Sequence, residues 1–543
     1  MPLINTYFAR VTRVACALRR CLAAMLAVAA LVEPAAAQPI DLRNASVERL
    51  DNGLTVILLE DRRFPVASVQ VLYRVGARDE VTGRTGLAHF LEHMAFRDSQ
   101  NFAGTDVVSR IYAVGGEWHG YTWIDQTTYF STVPADELDL VLRIEADRMG
   151  RLELAADDME AERGAVLAEM HMYENIPGSM LIDAVNFTAF QAHPYRNNTI
   201  GWESDIEKLE YADVVDFYEQ HYHPANAVIA VVGAFEPPAV RRRIEELFGD
   251  FERRGPTPLP RTEEAPQNGL RRITVHGDAG PPQFRIAYRA PSASSPDFAP
   301  FLVLQAVLGQ SPGVNFLQND WGTPVEPGAP LADAALDVTT WYPPSAQDYV
   351  FIVGGTAPAA DATAAVEAAV ETRIAAARDL LVSEATLADA IAEVDDALAF
   401  DVETTEDAAH QLAYFDGLGA LDVLLGLPAR VAAVAPGDVR RVARRYLQPG
   451  QRSIAWYLPG AEQVLPAEAD VAEAAPAPPP APPGLEPVAP PAVTRLTGGL
   501  PVIVQPSGLS SSVQLRVVFD GSVSGASAGD PVAGHSSLTW SVR

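Results

Sequence analysis

The chain has 543 residues, 48% of them apolar and 20% charged, which excludes both a disordered protein and a single small domain. Its formal charge of −30 argues against a surface built to hold nucleic acid or anionic lipid. Both cysteines, Cys16 and Cys21, lie in the first 37 residues, so the rest of the chain has no disulfide, no thiolate nucleophile and no cysteine metal ligand.

In chain order, residues 1–37 read as a secretory signal peptide. Arg10, Arg13, Arg19 and Arg20 form its basic region, Cys21 to Val32 its apolar region, and Ala35-Ala36-Ala37 its cleavage site. The apolar region is too short for a comfortable membrane span, so no stable insertion is expected once the peptide is cleaved. Export without disulfides points to a bacterial periplasm.

A first unit is expected over residues 38–252. Val56 to Leu59 and Val69 to Tyr73 predict strands, residues 86–95 and about 157–173 predict helices, and Ala227 to Val232 predicts a buried strand. Thr85 stands where a helix N-cap would, after the turn-forming Gly83. The Pro-rich and charged residues 253–268 predict a linker, followed by a second unit over 269–462. Asp213-Val214 and Pro224 recur as Asp438-Val439 and Pro449, an offset of 225. A Pro/Ala tract at 463–492 predicts a semi-rigid polyproline spacer. The opening RLDNGLTVI at Arg49 then returns as RLTGGLPVI at Arg495, an offset of 446, so residues 493–543 read as the start of a third copy that breaks off.

The chemistry lies in Gly86 to Met94, GLAHFLEHM. On a helix, Glu92 falls about 300° and His93 about 40° from His89, so the three share one face. Two imidazoles one turn apart can bind one zinc ion, and the glutamate between them can take a proton from a zinc-bound water. This is the H-x-x-E-H order, the inverse of the commoner H-E-x-x-H. The bland alternative is a helix with two half-buried histidines; with only 10 histidines in the chain, that coincidence is disfavoured. A third ligand is needed. Glu162 and Glu169, in the acidic helix from Asp157 to Met170, share a face but stand about 10.5 Å apart along the axis, so one would be the ligand and the other a neighbour. Spacing alone does not choose between them. Glu160 falls on roughly the opposite face and is expected to be exposed.

His89-Phe90-Leu91-Glu92-His93, followed about 75 residues on by Glu162-Arg163-Gly164-Ala165-Val166-Leu167-Ala168-Glu169, resembles the pitrilysin/insulinase-type (M16) zinc metallopeptidases, which include mitochondrial processing peptidases and bacterial exported relatives. His193-Pro194-Tyr195 and Tyr222-His223-Pro224-Ala225-Asn226 are further echoes. The resemblance implies an α+β fold of repeated α/β-sandwich units, two of them forming half of a clamshell. It implies one zinc per chain on His89, His93 and Glu169, with Glu92 activating the water and Glu162 assisting. It also implies a peptide or unfolded polypeptide substrate that adds as a strand along Trp118, His119, Gly120, Tyr121 and Thr122. The family usually has Asn-Ala where this chain has His119-Gly120.

The second unit's matching helix, Phe301 to Gly309, has no His or Glu, so only the first unit is expected to be catalytic. The family draws an Arg and a Tyr that help polarise the scissile carbonyl from its last unit or a partner subunit. A homo- or hetero-oligomeric partner completing the clamshell is therefore expected. The functional expectation is a zinc metalloendopeptidase. The alternative is a non-catalytic binding or assembly subunit, or a truncated half, that needs a partner chain for activity.

Overall fold

The computed structural model describes residues 40–255, 262–277, 280–309, 313–318, 322–459, 492–495, 501–504, 513–520 and 535–542. The segment read as a signal peptide and nearly all of the Pro/Ala tract lie outside the described residues.

The first half holds strands β1 (Ser46–Arg49), β2 (Thr55–Glu60), β3 (Val66–Tyr73), β4 (Glu117–Thr122), β5 (Thr127–Pro134) and β6 (Ala227–Gly233). Its helices are α1 (Leu87–Met94), α2 (Gly104–Ala113), α3 (Leu138–Gly150), α4 (Ala156–Glu174), α5 (Pro177–Ala189), α6 (Glu203–Ile206), α7 (Tyr211–His221) and α8 (Pro237–Phe248). The strands form one mixed sheet in the order β1-β2-β6-β3-β5-β4. β6, AVIAVVG, is buried along its whole length at the sheet centre, as its unbroken apolar run requires. Among the described residues, β4 is an edge strand, bonded on one side only, to β5.

The second half repeats the plan with β7 (Arg271–Gly277), β8 (Gln283–Ala290), β9 (Thr323–Pro324), β10 (Leu336–Trp341), β11 (Tyr349–Thr356) and β12 (Ser453–Pro459). Its helices are α9 (Phe298–Leu308), α10 (Thr363–Asp379), α11 (Glu384–Phe400), α12 (Thr405–Gly417), α13 (Leu421–Leu425), α14 (Leu427–Ala432) and α15 (Pro436–Tyr446). The sheet order β7-β12-β8-β11-β10-β9 keeps the signature of the first: a parallel pair, β7 with β12 or β2 with β6, followed by antiparallel neighbours. Two mixed sheets with helices against them make the fold α+β, in repeated units.

One face of the first sheet, with Val56, Leu58, Val69, Val71, Ile229 and Val231, packs on α1, α3, α4 and α8. The opposite face, with Ile57, Leu59, Leu72, Val228 and Val232, joins the core of the second half. Each half lends a helix to the other: α5 packs on β7, β8 and β12, and α12 packs on β3 and β6. A line of polar contacts accompanies α12. Ser68 Oγ meets Thr405 Oγ1 at 2.8 Å, Gln70 Nε2 meets His410 Nδ1 at 2.9 Å, and Arg74 pairs with Asp416.

A separate compact unit begins at Val464. It contains the antiparallel pairs β13 (Ala492–Arg495) with β14 (Pro501–Val504) and β15 (Val513–Asp520) with β16 (His535–Val542). Val493 pairs with Ile503 and Arg495 with Pro501, as Val47 pairs with Ile57 and Arg49 with Thr55. The sequence repeat at an offset of 446 thus extends to strand register. Among the described residues, no helix is long and apolar enough to cross a membrane.

Candidate active site

Helix α1 starts at Gly86, whose φ of 80° places it in the left-handed region, and a Cβ there would lie 2.2 Å from the Ile200 carbonyl oxygen. Thr85 is not the cap expected from the sequence. Its hydroxyl donates to Asp205 Oδ2 at 2.7 Å and accepts from the Trp202 amide. The helix start is capped by Glu80, outside the helix, whose two carboxylate oxygens accept from the Gly86 and Ala88 amides, each at 2.8 Å. At the other end, buried Arg148 of α3 donates from Nε to the Ala95 carbonyl at 3.2 Å. Apolar Leu87, Phe90, Leu91 and Met94 pack α1 into its unit and leave His89, Glu92 and His93 on the opposite face.

Helix α4 crosses that face. Glu169 Oε2 lies 3.3 Å from His93 Nε2 and 3.6 Å from His89 Nε2, and the ring centroids of the two histidines are 4.8 Å apart. Two ligands bound at about 2.0–2.1 Å to one tetrahedral ion stand ~3.4 Å apart, so a His-His-Glu donor set at this spacing fits zinc. His89, His93 and Glu169 are the one such group of potential ligands among the described residues. Glu162 is placed differently. Its Oε2 meets His93 Nδ1 at 3.0 Å and its Oε1 accepts from Arg97 Nε at 2.6 Å, so it orients the ring from behind. Glu160 is exposed and paired with Arg163.

The electrostatics separate the roles. Burial, helped by the charge of His93, lowers His89 to about 4, which keeps its imidazole neutral. Burial would also lower His93, but its hydrogen bonds to Glu162 and Glu169 outweigh that and raise it to about 9 in the metal-free site. The bond from His93 holds Glu169 below the usual carboxylate range. Glu92 is 8% exposed, and burial pushes its carboxyl up to about 7. A carboxylate so poised is suited to accept a proton near neutrality.

The five strand residues divide between two faces. Trp118 packs on Phe96, which follows α1, with ring centroids 4.6 Å apart. A Cβ on Gly120 would come within 3.3 Å of Glu92 Oε1, and the Thr122 hydroxyl donates to Glu92 Oε2 at 2.6 Å. His119 and Tyr121 point away from α1, against Phe130, and Tyr121 also faces Phe316 and His410 of the second half. Those two can meet a strand added at this edge through their backbone, not by reaching the histidines. Sequence reasoning missed Glu80, Arg148 and the role of Thr122, because each acts through a pairing made only in three dimensions.

A profile described as "Insulinase (Peptidase family M16)" matches residues 55–202, which contain His89, Glu92, His93, Glu162 and Glu169. A second, "Peptidase M16 inactive domain", matches residues 208–392. Among curated relatives, zinc protease PqqE of Helicobacter pylori is 32% identical over 268 residues, 48% of this chain and 60% of that protein. The probable mitochondrial-processing peptidase subunit beta of Arabidopsis thaliana is 28% identical over 265 residues, 48% of this chain and 50% of that protein. The matches thus span half to three fifths of the length of these relatives. The crystal structure of a protease from Helicobacter pylori superposes with a TM-score of 0.70 at 24% identity, covering 78% of this chain and 100% of that one. A putative M16-like peptidase from Alicyclobacillus acidocaldarius gives a TM-score of 0.65 at 20% identity, over 77% and 98%. With two family profiles on consecutive parts of the chain, relatives named as zinc proteases and neighbours of the same fold, the chain belongs to peptidase family M16.

Proposed function

We propose that this chain is a zinc-dependent peptidase that hydrolyses peptide bonds in peptides or unfolded polypeptides. The observation that carries the reading is the convergence of Glu169 on the Nε2 atoms of both histidines while Glu92, on the same helix face, stays outside the ligand group. His89, His93 and Glu169 would hold the ion. Zinc held there supplies a Lewis acid that polarises a carbonyl and makes water nucleophilic near neutral pH. Glu92 takes the proton of the attacking water: the Thr122 bond occupies Oε2, and Oε1 faces the strand edge at Gly120. The substrate backbone adds along the outer edge of β4, which no strand covers among the described residues and which lies next to Glu92. The second half supplies packing rather than chemistry, since α9, buried almost all round, has no His or Glu. The basic and apolar amino-terminal sequence supports an exported location.

The test is Glu92→Gln. It should retain zinc and lose cleavage of a quenched, unstructured peptide by about 10²–10⁴-fold. Near-normal cleavage by the zinc-loaded variant would sink the mechanism.

A further inference from the structure

Gly76 to Glu80 form a buried turn between β3 and α1. Its backbone is stitched to the end of β4: the Ala77 amide donates to the Trp123 carbonyl at 3.1 Å, and the Arg78 amide to the Ile124 carbonyl at 3.0 Å. Its last side chain holds the start of α1, where Glu80 accepts from the Gly86 and Ala88 amides. Arg78 donates from Nη1 to Asp125 Oδ1 at 2.6 Å, and Asp125 Oδ2 accepts from the Ala346 amide of the second half at 2.8 Å. The Tyr195 hydroxyl donates to Asp125 Oδ1 at 2.7 Å and accepts from the Gln347 amide. One short turn therefore joins the helix with the histidines, the strand beside Glu92, and the second half.

We propose that Glu80 is a positioning residue for the metal site, fixing where α1 begins, and that the Arg78–Asp125 pair anchors it to the second half. Glu80 accepts from the amides of the first turn and Arg148 donates to the Ala95 carbonyl after the last, so α1 is held at both ends by side chains from outside it. His89 and His93 are the second and sixth residues after Ala88's neighbour Leu87, so a tilt or slip of the first turn moves both imidazoles relative to Glu169 on α4. Glutamine at position 80 can accept only one of the two amides, because its –NH₂ group meets the other donor to donor.

The inference rests on the zinc-site reading for one arm of its test only. Hydrogen exchange of the metal-free full chain, wild type against Glu80→Gln, is followed peptide by peptide. Exchange across residues 86–94 is expected to rise by about tenfold or more, with peptides from β6 unchanged. Zinc affinity, measured by chelator competition, is expected to fall by about 10–100-fold, as on loss of other groups that orient ligands. With zinc saturating, kcat should fall and KM stay within about twofold. Uniformly raised exchange, or unchanged exchange at 86–94, overturns the proposal, as does unchanged zinc affinity in a variant whose α1 exchange has risen. A wild type that binds no zinc overturns the zinc reading instead, and the exchange arm still decides the role of Glu80. If Glu80→Gln does not fold, Asp125→Asn takes its place, and unchanged exchange at 86–94 there overturns the anchor.

Discussion

Thr122 donates its hydroxyl hydrogen to Glu92, and that bond favours the charged carboxylate against the burial that pushes it up to about 7. Replacing Thr122 by Val keeps the shape and removes the donor, so the Glu92 pKa should rise further. A general base works deprotonated, so the acid limb of the kcat/KM profile should move to higher pH, by about one unit for the loss of one bond to a charged group. An unmoved acid limb in a pH–rate series would show that this limb does not report Glu92. At this scale the sequence was informative where helical period alone sufficed: His89, Glu92 and His93 share a face. It was silent between Glu162 and Glu169, because residues seven apart occupy the same face and only the crossing of α4 over α1 decides which meets the two imidazoles. Thr122 could not be read at all, since nothing in the sequence says that its strand lies beside α1.

The short elements around α1 were the least legible, and they matter most to its placement. Thr85 has the chemistry of an N-cap but spends its hydroxyl on Asp205 and Trp202, while the cap comes from Glu80, six residues before Gly86. A carboxylate reaching back from a separate turn leaves no local pattern to recognise. Gly76 shows how tightly that turn is set. A Cβ there would lie 2.2 Å from the Trp123 carbonyl oxygen and 2.7 Å from the Gln126 amide nitrogen, both backbone atoms that cannot swing aside. Gly76→Ala should therefore destabilise the fold by about 2–3 kcal/mol, read as a lowered urea midpoint at constant slope. A midpoint within error of wild type would mean that the β4–β5 turn yields more freely than its bonding suggests. The long helices and central strands were legible for the opposite reason: their apolar period is local, and burial on both faces leaves β6 a continuous run of small and β-branched residues.

Across the molecule, the repeat could be read from the sequence, but the exchange of helices could not, because α5 and α12 have ordinary amphipathic patterns that do not name the sheet they cover. The exchange buries His410 of α12 completely, and burial lowers its pKa to about 3; its bonded partner Gln70 and its ring neighbours Tyr121 and Tyr414 are neutral. The unfolded value is about 6.5. A depressed folded value contributes stability that is present above pH 6.5 and is lost as the pH falls toward 3. His410→Gln keeps an acceptor for Gln70 and does not titrate. It should be less stable than wild type at pH 7 by about 1–2 kcal/mol, with the gap closing between about pH 5 and 6 and reversed by about pH 4 in paired urea titrations. A constant gap would show that His410 accepts a proton in the folded chain. The same exchange governs how the chain is made. Ser68 and Gln70 wait for partners 337 and 340 residues away, so the first sheet leaves the ribosome with one apolar face bare until α12 has been synthesised. At about 5–20 residues per second that wait lasts tens of seconds, a window in which chaperones, rather than the chain's own contacts, must keep that face from aggregating.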